Sequence, residues 1–184
     1  EATSPGALKD AGNEALATDP ARATHMYTLG IDLCLGKSDA ATLSAAEWFE
    51  LDRKEPSLHA LLSNRSFAHL QLGDVAAALV DAEHCCLARP DFVKGHNRLL
   101  AALAAASAPA SERLLACARG LRACPSASSL KQAQAQIEAE LAASGPPLAE
   151  MAEVEAAEGM ALTRRVAEDK SDPRRFMAAG DLGS

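Results

Sequence analysis

Aromatic residues are scarce in this chain: one Trp, one Tyr and four Phe among 184 residues, against 42 alanines. Sheets are built from β-branched and aromatic side chains, and closely packed helices from small ones, so this balance points to an all-α fold. Long apolar runs are missing too. None reaches the roughly 18 residues of a membrane-spanning helix, and no signal-peptide pattern is present, so neither a membrane span nor export is expected. Positive charge is in deficit, with 18 Lys and Arg against 25 Asp and Glu and a net charge of −7. Nucleic acid or an anionic membrane would therefore not be drawn in by bulk attraction. An acidic ligand would have to be held by a local basic patch, against the overall field.

Paired cysteine motifs are absent. Cys34, Cys85, Cys86, Cys117 and Cys124 are odd in number, lie in apolar runs and form no C-x-x-C pair. They read as core thiols in a reducing compartment, which suits a cytoplasmic protein. His25, His59, His69 and His84 show no metal-ligand spacing, so neither a metal nor a cofactor is expected. Catalytic signatures are missing as well. Ser63 and Ser66 have no Gly-x-Ser-x-Gly elbow, no glycine-rich phosphate loop follows a strand, and Cys85-Cys86 has no basic partner nearby in sequence. Glu47 with Glu50, and Glu153 with Glu155 and Glu158, suit solvated helix faces. An enzyme is not expected. The chain opens on Glu1 rather than methionine, as a piece of a longer protein would.

What is present is a repeat. From residue 60 to 93, apolar positions at helical spacing run through Leu61, Leu62, Phe67, Leu70 and Leu72 until Gly73-Asp74 breaks them. A second run follows through Val75, Ala78, Leu79, Ala82, Cys85 and Cys86, and Pro90 closes it. Another unit begins at Asp91, passes through Leu99, Leu100 and Leu103, turns at Ser107-Ala108-Pro109 and ends at Pro125, 35 residues beyond Pro90. An earlier unit spans about Ala7 to Leu35, with Gly12, Ala23, Tyr27 and Ile31 at packing positions. Its turn, Thr18-Asp19-Pro20, supplies an N-cap and first-turn pair for its second helix.

Polar residues recur on this framework. Asn64 and Arg98 are 34 residues apart, the period of a helix–turn–helix solenoid. Lys94 lies one turn before Arg98, and upstream Lys9 lies one turn before Asn13. In a stack of such units the first helices line one concave wall. Lys9, Asn13, Asn64, Lys94 and Arg98 would then converge on one groove, and two lysines, an arginine and two carboxamides make a site for a carboxylate.

These helix pairs resemble tetratricopeptide repeats, and the chain is similar to the three-repeat domains of heat-shock co-chaperones. Gly12-Asn13, Leu72-Gly73-Asp74, Ala78 and Pro90 match repeat positions, and Ser63-Asn64-Arg65-Ser66 with Lys94-Gly95 and Arg98 match that subfamily. The resemblance covers about residues 7 to 143. It implies three antiparallel helix pairs in a right-handed superhelical stack, followed by a C-terminal capping helix near 126 to 143. It also implies a carboxylate clamp that binds the terminal Glu-Glu-Val-Asp peptide of seventy- and ninety-kilodalton heat-shock chaperones. In that arrangement Lys9, Asn13, Asn64 and Lys94 would hold the two carboxylates of the terminal aspartate, and Arg98 would meet the peptide backbone or a preceding acid. Ala17, and Ala68 as the groove-facing residue after Asn64, leave the pocket for the ligand's valine unassigned. His96 falls on another helix face and suits packing. The alternative is a general scaffold that takes an internal segment of another protein, in the groove or at Trp48.

The expected domain is 1–143, with an insertion near 36–56, because Asn13 and Asn64 are 51 residues apart where a bare repeat needs about 20 fewer. The insertion reads as an extended second helix, a bend and a short helix whose Trp48 and Phe49 pack on the outer face of repeats one and two. Leu130, Ile137 and Leu141 fall on one side of the capping segment. Residues 144–184 read as an extension, with a further helix through Leu148, Met151, Val154, Leu162 and Val166 and then a linker.

Overall fold

Side-chain caps set four of the helix starts. Ser4 and Asp19 each accept a backbone N–H three residues on, with a proline opening the helix behind them. Ser44 and Glu47 form a reciprocal capping box, and Asp74 accepts from the Ala77 N–H. Gly36 and Gly73 adopt φ values of +60° and +78°, a conformation that costs a residue with Cβ, and they end their helices there. The computed structural model describes residues 4–144. Among these residues there are eight helices and no strand: α1 (Pro5–Ala15), α2 (Pro20–Leu35), α3 (Ala45–Lys54), α4 (Leu58–Gln71), α5 (Val75–Ala88), α6 (Val93–Ala105), α7 (Ala110–Ala123) and α8 (Ser128–Ser144).

Three antiparallel pairs, α1/α2, α4/α5 and α6/α7, are stacked in order, with α4 touching α1 and α2 before it and α6 after it. Small residues allow this closeness, as Ala78, Ala82 and Cys85 on α5 are fully buried. Polar ties add register. The Ser66 hydroxyl donates to the Ala78 carbonyl at 2.8 Å. Arg65 forks onto both oxygens of Asp81 at 2.8 and 2.7 Å and reaches the Thr28 hydroxyl at 3.1 Å, joining α4 to α5 and α2. Helix α8 closes the stack by packing Leu130, Ile137 and Leu141 with Cys117 of α7, the role of a terminal shield. Beyond Ser144, the expected extension lies outside the described residues.

The insertion differs in part from expectation. Helix α2 is not prolonged into it: Gly36 stops the helix at Leu35, and turns lead to the short helix α3. Trp48 is buried and stacks on the His84 ring of α5, centroids 4.4 Å apart and planes 24° from parallel. Its neighbour Phe49 instead stands exposed, because consecutive helical residues face different ways. All five cysteines are free. Burial pushes the Cys34 and Cys86 thiols up to about 12, so neither is a ready nucleophile.

Candidate functional site

Lys94 carries only donors, and this fixes the direction of a row of hydrogen bonds along the first helices of the repeats. Its ammonium donates to Asn64 Oδ1 at 2.9 Å. The Asn64 amide nitrogen must then point the other way, and it donates to Asn13 Oδ1 at 2.8 Å. The same Asn13 oxygen accepts from the Tyr27 hydroxyl at 2.9 Å. Helices α6, α4 and α1 thus each place one polar side chain in a continuous chain. Its carbonyl oxygens are consumed internally. The Asn13 N–H pair, one Asn64 N–H and two Lys94 N–H groups are left over as donors.

Arg98 stands one turn beyond Lys94. Its guanidinium lies over the Phe67 ring of α4, 4.1 Å from the centroid, and its Nε is buried without a hydrogen-bond partner. Burial and, after it, the Arg98 charge lower the Lys94 pKa, and burial likewise lowers that of Arg98. Among the described residues no carboxylate pairs with either cation, although Arg65 and Arg89 each have one. Two crowded like charges without a counter-ion, beside amide donors whose acceptors are already satisfied, make a place for an anion.

Four of the five residues singled out in the sequence are accounted for by this arrangement: Asn13, Asn64 and Lys94 share the row, and Arg98 flanks it. Lys9 does not join the row; its ammonium, partly exposed on α1, lies 3.5 Å from Asp10. Ala68 is a correction: it is fully buried in the core and offers no groove surface, and the α4 side chain that meets Arg98 is Phe67. His96 is buried, with Nε2 2.8 Å from the Pro90 carbonyl. Tyr27 and Phe67 contribute here although their spacing marked them only as packing residues. Among the described residues, no cluster of three or more His, Cys, Asp or Glu side chains is arranged to hold a metal ion, and no helix is long and apolar enough to cross a membrane.

The stacked helix pairs and the closing helix have the architecture of the tetratricopeptide-repeat fold. Solved structures agree. The first TPR domain of Spaghetti (RPAP3), bound to the HSP90 peptide SRMEEVD, matches with a TM-score of 0.56 at 21% identity, over 77% of this chain and 98% of that one. The second TPR domain of human RPAP3, in complex with the HSP70 peptide SGPTIEEVD, matches with 0.51 at 19% identity, over 72% and 97%. The Hsp90 co-chaperone Cns1 from Saccharomyces cerevisiae matches with 0.54 at 18% identity, over 95% of this chain and 47% of its own. No family model and no curated protein matches the chain. At such identities the likeness establishes the fold, and function has to be argued from the site.

Proposed function

We propose that this groove captures the free C-terminus of an acidic peptide of the Glu-Glu-Val-Asp type carried by seventy- or ninety-kilodalton heat-shock chaperones. The protein would then be a non-catalytic, co-chaperone-like adaptor working in the cytoplasm. The observation that carries the reading is the Lys94–Arg98 pair: two adjacent, partly buried cations with no carboxylate partner among the described residues, linked to a row of spare amide donors. The terminal aspartate brings two carboxylates close together. Asn13, Asn64 and Lys94 face them as a row, Lys9 adds charge from α1, and Arg98 takes the peptide backbone or a preceding acid. The peptides in the RPAP3 complexes end in this way, which supports the same ligand here. Residues 1–143 would be the binding module and 144–184 its extension.

Binding in the micromolar range is expected, because a short ligand makes few contacts and must be ordered. Calorimetric titration of the wild type and Lys94→Ala, with free and C-terminally amidated peptide, tests the reading. Only the free acid should bind well, and only to the wild type. Equal binding of both forms would overturn the clamp. It would favour a scaffold for an internal segment, for which a cavity of about 650 Å³ beside Phe49, Leu87 and Leu99, none of them in the row, is one available surface.

A further inference from the structure

We propose that Tyr27 is a positioning residue of the groove: its hydroxyl locks the exposed Asn13 carboxamide with both N–H groups turned toward the ligand. The inference rests on the carboxylate-capture reading and adds to it a residue that does not touch the ligand.

Asn13 stands exposed on α1, and a free asparagine there would sample several rotamers and both amide orientations. An oxygen turned into the groove would repel a carboxylate. Asn64 alone supplies one bond to Asn13 Oδ1, which leaves the second lone pair open and the side chain able to swing about that single contact. The Tyr27 hydroxyl fills that lone pair at 2.9 Å. With both lone pairs engaged, the oxygen is held toward the protein and the nitrogen away from it.

The direction of this bond follows from the far end of the row. Lys94 can only donate, so Asn64 must accept from it and donate to Asn13; Asn13 must then present its oxygen, and Tyr27 must donate. Reversing the Tyr27 bond would turn the Asn13 nitrogen toward the Asn64 nitrogen, donor against donor. Burial raises the Tyr27 pKa further above its ordinary value, which keeps the hydroxyl protonated.

Tyr27 is itself immobile. Its ring is fully buried in the core cluster that includes Ile31, Leu58 and Leu61. It lies so close to α1 that a Cβ at Gly12 would collide with its Cε1. Gly12, the residue just before Asn13, thus admits the ring to the place from which its hydroxyl reaches Asn13. A rigid aromatic on α2 thereby fixes a mobile amide on α1, which reduces the ordering left for the ligand to accomplish.

Tyr27→Phe keeps the ring and removes only the hydroxyl. Calorimetric titration with a free-acid peptide ending in Glu-Glu-Val-Asp should show roughly three- to tenfold weaker binding, the range expected for losing one neutral hydrogen bond. In an Asn13→Ala background the same change should have no further effect, because Tyr27 acts through Asn13. Wild-type affinity in Tyr27→Phe, or multiplying effects in the double variant, would overturn the proposal. Should Tyr27→Phe not fold by circular dichroism, Asn13→Asp carries the test. It can still accept from Tyr27 and Asn64 but has lost the outward donors, so it should bind no better than Asn13→Ala, and wild-type affinity there would overturn the proposal. If the wild type binds free and amidated peptide alike, the underlying reading falls and this inference falls with it. A wild type that prefers the free acid while Tyr27→Phe does too, with unchanged affinity, removes only the role of Tyr27.

Discussion

Asp52 on α3 and the Lys94–Arg98 pair on α6 are all charged groups drawn partly or wholly out of water, and their surroundings differ in kind. Asp52, 1% exposed, has both oxygens partnered. Oδ1 accepts from the His59 backbone N–H at 2.8 Å and from His59 Nδ1 at 2.7 Å; Oδ2 accepts from Arg89 Nε at 2.8 Å and stands 2.7 Å from Arg89 Nη2 in an ion pair. That closed cluster pins α3 to the start of α4 and the end of α5. The groove cations are open: Lys94 has one neutral acceptor, and Arg98 has an aromatic face and an unpartnered Nε. A buried charge whose partners are complete holds the fold. One whose partners are missing destabilises the free protein slightly and leaves that energy for a ligand to recover.

Asp52→Ala should produce the largest effect, since it takes a fully buried acceptor from the largely buried His59, while the part-exposed Arg89 can turn to water and discounts the loss. About 2–3 kcal/mol of stability should be lost, measured by urea denaturation. Peptide affinity under conditions where the variant is still folded should stay close to wild type, because α3 packs on α5 and not on the row. The cluster also predicts acid sensitivity. Burial alone would raise the Asp52 pKa, but the hydrogen bonds from His59, its charge and the bond from Arg89 bring the net shift downward. Between the lowered folded value and the ordinary unfolded value near 4, the unfolded chain binds more protons. Stability therefore holds above about pH 4 and declines as pH falls through the folded value. A flatter acid limb in Asp52→Asn, followed by circular dichroism, is the expected sign. An unchanged acid limb would mean that Asp52 is not the group that matters.

The open pair should respond in the opposite sense. Lys94→Ala or Arg98→Ala should weaken peptide binding by about tenfold or more, as the loss of charge-assisted bonds worth roughly 1.5–3 kcal/mol implies. Stability should change by no more than about 1 kcal/mol, because the lost Lys94–Asn64 bond or Arg98–Phe67 contact is offset by removal of a like-charged neighbour. A variant that loses stability and keeps affinity would erase the contrast between the two regions. Binding should also weaken at alkaline pH. Lys94 is held below its ordinary pKa by burial and by Arg98, so its charge disappears as pH rises through that lowered value. A bound carboxylate stabilises the charged form, so titrations in that window should show proton uptake, detected by comparing buffers of different ionisation enthalpy.

How legible each region was follows the same division. Asn64, Lys94 and Arg98 were readable because the solenoid repeats: a spacing of 30 and then 4 residues puts side chains on corresponding faces of successive first helices. Asp52, His59 and Arg89 were not, since α3 belongs to no repeat and no period links it to α4 and α5. Of Trp48 and Phe49, composition marked both as packing residues, but only the helix phase separates the buried ring from the exposed one. Tyr27 was read as apolar packing. Its ring does pack, yet its hydroxyl meets a side chain on another helix, 14 residues away. Spacing alone puts Ala68 on the groove, yet it lies in the core, one helical position and about 100° of rotation from Phe67, which meets Arg98.

That one-position difference sets up the smallest expected effect. Phe67 is the α4 side chain that meets Arg98, whose guanidinium carbon lies over its ring. The ring supplies no hydrogen bond. It removes water from one side of the cation and limits where the cation can move before a ligand arrives. Phe67→Leu keeps apolar bulk and removes the quadrupole. A cation–π contact at a partly exposed site is worth about 0.5–1 kcal/mol, so binding of the free-acid peptide should fall roughly two- to fivefold. The change should be nearly silent when Arg98 is already alanine, since the ring acts only through that guanidinium. A larger loss, or one that persists in Arg98→Ala, would mean that Phe67 touches the peptide itself and forms part of the pocket for its apolar residue.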